Sequence, residues 1–427
     1  MRAARFVGRA AAILFFLGKQ ALRFVVGWLL LIVTLRPRAR RQEWFGRCLV
    51  AMFRDLGATF IKVGQIMSTR PDLLPPHVIK ALETLQDNVG PFPYRLVEET
   101  IRAELGRSII DVFAEFSPST VASASVAQVH KARLPGGRVV AVKVRRPRIE
   151  QVVEFDLSVM RMFARTLEII PSLRLLAPAE SVDEFGRGIR MQLDFTVEAS
   201  NNRRFRANFA GDREVLFPAL VDELCTSKVL VMDFIEGVKV LPFSSTHADP
   251  KKLAAIGFRV LLKMIFVDGF VHADLHPGNI FVTPDDRVAI LDLGLVGELD
   301  DAHRRGFARY FAAWAQGDGK TMARLMVEMS PSKTIRDYAS FESAVDGFVK
   351  RYHGKKLAEL QASTIFFDMM GILRRHRVRV NPTFTLVNIA IAMTEGIGKQ
   401  LDPDVDLMAA ALPFFAEHDF FAQGGVA

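Results

Sequence analysis

The segment His272-Ala-Asp-Leu-His-Pro-Gly-Asn279, followed 13 residues later by Asp292-Leu-Gly294, decides how this chain is read. Between them, Asn279 to Thr283 and Val288 to Leu291 are strand-like runs separated by the turn Pro284-Asp285-Asp286. A hairpin there folds the chain back, so that Asp292 approaches Asn279, itself five residues after Asp274. Asn279 and Asp292 are then two hard oxygen ligands beside a third oxygen group, Asp274. Mg²⁺ takes such a set, one or two protein oxygens completed by phosphate oxygens and water. Phosphoryl transfer also needs a carboxylate near the attacking hydroxyl, a place Asp274 fits. His272, Asp274 and His276 also spell an HxDxH metal cluster, but the Pro-Gly-Asn and Asp-Leu-Gly that follow favour the first reading. His272 is then expected to bond to backbone.

Upstream, Val140-Ala-Val-Lys143 places a lysine in an apolar strand, where it needs an anion; Glu198 on a following helix is the candidate. The alternative is a lysine that snorkels to the surface. Before that strand the chain reads Thr120-Val-Ala-Ser-Ala-Ser-Val-Ala-Gln-Val-His130, without a glycine-rich loop. Alanine Cβ atoms restrict a backbone that glycine would free, and Ser123 and Ser125 offer hydroxyl donors instead.

The pattern is helical from Trp44 to about Thr120, punctuated at Arg70-Pro-Asp-Leu-Leu-Pro-Pro and Val89-Gly-Pro-Phe-Pro. Val121 to Lys131 and Val139 to Val144 read as strands joined through Leu134-Pro-Gly-Gly. Helix follows to Phe209, then a strand from Lys228 to Phe234, and mostly helix from Pro250 onward, apart from the second hairpin. The fold class is α+β, two-lobed. Four segments are expected: 1–45, a basic amphipathic segment; 46–120, a helical extension; 121–238, a mainly β lobe with inserted helices; and 239–427, a helical lobe.

In this order and spacing the motifs resemble the catalytic-loop and Asp-Phe-Gly elements of protein kinases. More specifically, with an alanine-rich loop and Phe60-Ile-Lys-Val-Gly-Gln65, the chain resembles the UbiB family of atypical kinases, whose N-terminal extension bears a KxGQ motif. Ser68-Thr-Arg-Pro-Asp-Leu-Leu-Pro75, Glu395-Gly396 and Leu401-Asp-Pro403 are also similar, so the resemblance runs from about residue 50 to 405. It implies a protein-kinase-like fold that binds ATP (or ADP) and Mg²⁺, with the KxGQ helix lying across the active site. Residue by residue, it implies Lys62, Gly64 and Gln65 in that helix and Ala122, Ser123, Ala124 and Ser125 as the nucleotide loop. Lys143 and Glu198 match the ion pair, Asp274 the catalytic-loop aspartate, and Asn279 and Asp292 the metal ligands. One departure is Gln192-Leu-Asp194, where the family has an ExD element facing the KxGQ lysine; Gln192 can only hydrogen-bond. Another is that no C-terminal transmembrane pair is read; Pro413-Phe-Phe through Phe420-Phe421 is short and interrupted.

Of 427 residues, 50% are apolar and 24% charged, enough for a large core. Two distant cysteines, Cys48 and Cys225, exclude a disulfide framework and suit a reducing compartment. The net charge of +9 comes from nine basic residues before the first acid, Glu43; the remaining 47 basic residues match 47 acidic ones. The high pI is therefore no argument for a nucleic-acid partner. From Ala10 to Leu35 the chain is mostly apolar, but Lys19 and Arg23 would each cost roughly 2.5–3.5 kcal/mol at a bilayer centre. Arg2, Arg5, Arg9, Lys19, Gln20 and Arg23 share one helical arc, giving a basic amphipathic helix. It is expected to lie on anionic membrane lipids with Ile13, Leu14, Leu17 and Leu22 in the acyl chains. The alternatives are packing on the protein's own core or part of a transit peptide. The expected location is the cytoplasmic face of an inner membrane, peripheral or N-terminally anchored, mitochondrial if eukaryotic. Phe366-Phe367 and Phe414-Phe415 are read as core.

The resemblance implies a membrane-associated kinase or ATPase supporting isoprenoid-quinone (ubiquinone) biosynthesis, with quinone-biosynthesis enzymes or isoprenoid-quinone intermediates as partners. Two other functions fit the motifs: phosphoryl transfer to a small molecule or lipid, and a nucleotide-gated module that recruits lipids or enzymes.

Overall fold

A computed structural model of the chain describes residues 2–34, 37–68, 76–82, 84–85, 90–169, 178–243, 248–330, 335–353, 362–378, 382–402 and 414. It divides into two units, one formed by residues 1–200 and 219–234, the other by residues 201–218 and 235–427.

The first unit opens with α1 (Arg2–Val33), α2 (Arg38–Leu56), α3 (Ala58–Ser68) and α4 (Pro76–Leu82). Ile13, Val50, Phe53, Leu56, Phe60, Ile61, Val78 and Leu82 form one buried cluster among these helices. Gly27 lets α1 and α2 meet, because a Cβ there would lie 2.2 Å from the Trp44 ring. This packing corrects the expected lipid face. Ile13 is 1% exposed and Leu17 packs against the same cluster, whereas Leu22 is 67% exposed. The apolar side that α1 leaves open carries Phe15, Leu22, Val25, Val26, Leu29, Leu30, Ile32 and Val33. The basic arc is partly spent at home: Lys19 Nζ and Gln20 Nε2 reach Asp55 at 3.0 and 2.7 Å, and Arg23 lies over Trp44. The side chains of Arg2, Arg5, Arg9 and Leu14 lie outside the described residues.

Next come α5 (Tyr94–Leu105), α6 (Ile109–Val112), β1 (Glu115–Ser123), β2 (Ala127–Arg133), β3 (Val139–Arg145), α7 (Ile149–Leu167), α8 (Pro178–Leu193) and α9 (Phe195–Asn208), which belongs to this unit up to Ser200. After β4 (Val215–Leu216), a strand of the second unit, β5 (Val229–Asp233) completes an antiparallel sheet of order β1-β2-β3-β5. The helical reading to Thr120 and the single strand from Val121 to Lys131 are both corrected: strand starts at Glu115 and turns after Ser123. Pro118 lies in a stretch of irregular register between Phe116 and Thr120, which breaks the alternation that marks a strand. One sheet face, through Val140, Val142 and Val144, packs on Val97, Ile101 and Val112. The other meets Ile149, Val153, Leu157, Ile189, Leu193 and Phe195, together with Val63 from α3.

The second unit contains β6 (Val238–Lys239), α10 (Pro250–Leu262), β7 (Phe270–His272), β8 (Ile280–Val282), β9 (Val288–Ile290) and β10 (Val296–Glu298). Helices α11 (Asp301–Ala315), α12 (Gly319–Glu328), α13 (Tyr338–Tyr352), α14 (Ala362–Arg375) and α15 (Pro382–Leu401) follow. The hairpin read from the sequence is β8 and β9, inside a sheet of order β4-β9-β8-β6. The short pair β7 and β10 is an addition to the mostly helical reading. Side chains from all these helices close one core, Phe366 and Phe414 included, as expected of them. The expected C-terminal segment from Pro403 falls outside the described residues, apart from Phe414.

Candidate functional site

In the first unit the site is built on β3, whose side chains alternate. Val140, Val142 and Val144 enter the core, so Ala141, Lys143 and Arg145 take the opposite face, toward α7, α8 and α9. There Lys143 Nζ donates to both carboxylate oxygens of Glu198 at 2.9 Å, with the Phe195 ring 5.4 Å away. Glu198 is 5% exposed. At that burial a charge needs compensation, and removing either member takes from the other the partner it is bonded to.

Glu198 is positioned by its own helix. Asp194 stands just before α9, and its Oδ1 accepts from the Thr196 N–H at 3.0 Å and the Thr196 hydroxyl at 2.7 Å, a helix start of the Asp-x-x type. Asp194 thus caps the helix that carries the ion pair, while Gln192 is half-buried at the end of α8. Arg145, almost fully buried, donates to the Leu193 carbonyl at the α8 C-terminus and pairs with Glu150 at 2.8 Å.

The alanine-rich stretch forms the β1–β2 connection. Ala122 pairs with Val129 and Ser123 with Gln128, so both still belong to the ladder. The turn closes when the Ala124 N–H reaches the Ala127 carbonyl at 2.8 Å. Ser125 is 0% exposed, and among the described residues its hydroxyl has no hydrogen-bond partner.

The Lys62, Gly64 and Gln65 motif lies on α3, which packs on α7 and α8. Gly64 permits a close approach: a Cβ there would lie 2.4 Å from Leu85 Cδ1 and 2.8 Å from Phe53 Cδ2. Gln65 Nε2 donates to the Leu85 carbonyl at 3.0 Å. Gly64 and Gln65 therefore fix the helix, and Val63, between Lys62 and Gly64, joins the cluster that holds Val126 and Ala127 beside the alanine-rich turn. Lys62 is half-buried on the same helix. Of the stretch that follows, Thr69 to Pro75 lies outside the described residues.

In the second unit, Phe270 to His272 pair with β10, and the chain then loops out at Ala273. His272 is fully buried. Its Nδ1 accepts the Asp274 N–H and its Nε2 bonds the Asp292 carbonyl, both at 3.0 Å. This requires the neutral imidazole with its proton on Nε2, and burial, which pushes the His272 pKa down, favours the same form. His276 Nδ1 accepts from the Gly278 N–H. Both nitrogens of His272 thus bond to backbone, as expected of that residue. Asn279 Nδ2 donates to the Asp274 carbonyl at 3.3 Å, and the Leu291 N–H donates to the Asn279 carbonyl at 2.8 Å. The hairpin thereby sets Asn279 opposite Leu291, one residue before Asp292, whose φ of 55° is unusual for an aspartate. Asp274 and Asp292 are exposed.

Among the described residues no three His, Cys, Asp or Glu side chains gather as a closed metal cage. One carboxylate and one amide oxygen fit an ion that keeps water and phosphate oxygens in its shell, as Mg²⁺ does, and do not fit structural zinc.

Lys143 is brought to Glu198 within the first unit, and Asp274, Asn279 and Asp292 are brought together within the second. The sequence reading missed Arg145 and Arg146. For Arg145 the signal was present: it ends the apolar alternation of β3 on the face that carries Lys143.

Residues 84–326 match the ABC1 atypical kinase-like domain and residues 345–406 the UbiB helical domain. A Probable protein kinase UbiB from Pseudomonas paraeruginosa is 36% identical over 386 residues, covering 88% of this chain and 72% of that one. One of the same name from Aeromonas hydrophila is 38% identical over 384 residues, covering 87% and 70%. Among solved structures, a Mycobacterium tuberculosis protein in complex with erythromycin is similar in fold, with a TM-score of 0.56 at 24% identity over 82% of this chain and 90% of that one.

Proposed function

The chain belongs to the ABC1 family of atypical kinase-like proteins and carries its UbiB helical domain, and on that premise we propose that it binds Mg-ATP and transfers or releases the terminal phosphoryl group. The hairpin that sets Asn279 beside Asp292 carries this reading. These two residues would hold Mg²⁺, which when bound offsets negative charge on the phosphate oxygens. In this proposal Lys143, oriented by Glu198, holds phosphate oxygens, and the loop from Ala122 to Ser125 supplies donors. Asp274 orients the attacking hydroxyl or water and receives its proton. Lys62 and Gln65 line the approach.

In this proposal the product serves isoprenoid-quinone (ubiquinone) biosynthesis, in keeping with the UbiB relatives. The protein works at a membrane rich in anionic lipids, where quinone-biosynthesis enzymes or isoprenoid intermediates are its partners. The open apolar side of α1 supports this, since contiguous exposed apolar side chains mark protein or membrane docking surfaces. Phe15–Val33 is also long and apolar enough to cross a membrane, by length and composition.

The test is binding of ATP and release of phosphate by the purified protein, with and without Mg²⁺ and anionic vesicles, beside Asp292→Asn. Nucleotide at a hundredfold excess over Kd should stabilise wild type by about 2.7 kcal/mol, and the variant should lose the Mg²⁺-dependent part. Equal Mg-ATP binding by both would sink the metal assignment. A phosphorylated acceptor would identify a transferase, and free phosphate alone an ATPase.

A further inference from the structure

Three consecutive carbonyls of the alanine-rich turn end on one residue. Arg146 Nη2 donates to the Ala124 carbonyl at 3.2 Å, its Nε to the Ser125 carbonyl at 3.2 Å, and its main-chain N–H to the Val126 carbonyl at 2.7 Å. Nη2 also donates to the Gly90 carbonyl at 2.9 Å, and the guanidinium lies over the Phe92 ring at 5.2 Å. Phe92 is itself pinned to the sheet: its N–H donates to Gln128 Oε1 at 2.8 Å, and Gln128 Nε2 donates back to its carbonyl at 3.3 Å. Arg146 has no carboxylate partner among the described residues; it is committed to carbonyls and a ring. A forked guanidinium serves several acceptors at once in a fixed geometry.

In a trans peptide the N–H points away from the carbonyl that shares its plane. Drawing the Ala124 and Ser125 carbonyls onto Arg146 therefore turns the N–H groups of Ser125 and Val126 to the other side. Successive N–H groups aimed one way form a concavity for anions. Neither donates to a main-chain carbonyl among the described residues, and the buried Ser125 hydroxyl is likewise unspent. Buried donors without partners are costly unless a ligand takes them.

We propose that Arg146 is a positioning residue for phosphate binding. It holds the backbone of Ala124, Ser125 and Val126 so that the Ser125 and Val126 N–H groups face the phosphates of a bound nucleotide, doing by a side-chain clamp what glycine does by backbone freedom in other phosphate loops. Arg146 itself faces the opposite side and touches no phosphate. The proposal rests on the Mg-nucleotide reading above.

Affinities for Mg-ATP and for adenosine are compared in wild type, Arg146→Gln and Arg146→Lys, each checked for cooperative melting. Arg146→Gln is expected to lose roughly tenfold to a hundredfold in ATP affinity and to keep its affinity for adenosine. Arg146→Lys, with its charge and one carbonyl bond, should fall between, and it keeps the test open should the glutamine variant not fold. Unchanged ATP affinity, or equal losses for ATP and adenosine, overturns the positioning role and leaves the nucleotide reading standing. Wild type that binds neither ligand overturns that reading, and the role of Arg146 with it.

Discussion

His272 and Asp292 are joined by a bond from the imidazole Nε2 to the main-chain carbonyl at 3.0 Å, inside a core that leaves the ring no water. The other nitrogen holds the Asp274 N–H, so one neutral ring fixes the backbone on both sides of the hairpin. In His272→Leu both backbone groups lose their partner. We expect about 2–4 kcal/mol lower stability, read by denaturant unfolding, and weaker Mg²⁺-dependent ATP binding in whatever folds. A variant as stable as wild type would mean that the ring only fills space.

Lys143→Met takes from the almost fully buried Glu198 carboxylate the ammonium that donates to both its oxygens. Breaking such a pair costs about 3–5 kcal/mol, whereas replacing both members by apolar groups is often neutral. Lys143→Met is therefore expected to destabilise strongly, and Lys143→Met with Glu198→Leu to recover most of the stability and none of the ATP binding. Recovery of ATP binding in the double variant would remove Lys143 from the phosphate site.

Gly64→Ala tests the close packing of α3. The added Cβ would meet Leu85 and Phe53, both buried and hemmed in by the α1–α4 cluster. Overpacking of this kind costs about 1–3 kcal/mol. The expected result is a lower melting temperature and faster proteolytic cleavage of the N-terminal helices. Unchanged cleavage would mean that Leu85 yields without cost.

The β8–β9 hairpin was legible because its turn carries Pro284-Asp285-Asp286 between two apolar runs, and it alone is enough to bring Asn279 near Asp292. Lys143 was legible as a charge in an apolar strand that must find an anion. Strand β1 was not, because Pro118 and its neighbouring serines hide a register that only pairing with β2 defines. The three-residue strands β7 and β10 are too short to show a period. Arg146 was passed over for a different reason: its partners are backbone carbonyls, which leave no trace in side-chain spacing.

His130 makes stability depend on pH. It is fully buried, its Nδ1 donates to the Ser117 carbonyl at 2.8 Å, and its Nε2 accepts from Gln128 at 2.9 Å, so the ring is neutral. Burial lowers its pKa below the ordinary 6.5, the Ser117 carbonyl opposing this in part. Tyr94 and Phe116 flank it without adding charge. The unfolded chain thus takes up a proton near pH 6.5 that the folded one refuses. Stability is intact above that pH and falls as the pH drops below it, by at most about 1.4 kcal/mol per pH unit for this group. His130→Gln should show a shallower loss between pH 7 and 5 in denaturant titrations. Identical slopes would assign the effect to other groups.

The two sides of α1 separate folding from membrane attachment. Ile13 lies in the α1–α4 cluster, so Ile13→Ala should cost about 2–4 kcal/mol and leave vesicle binding by the folded protein unchanged. Leu22, Val26 and Leu30 are exposed, and replacing all three with serine should leave stability within about 0.5 kcal/mol while releasing the protein from anionic vesicles. Lys19 is held by Asp55 and Arg23 lies over Trp44, so charge alone holds this segment weakly and added salt should weaken binding less than the serine variant does. Cosedimentation with phosphatidylglycerol-containing vesicles reads both effects. If the serine variant still sediments, α1 is not the attachment site and its apolar side awaits a protein partner.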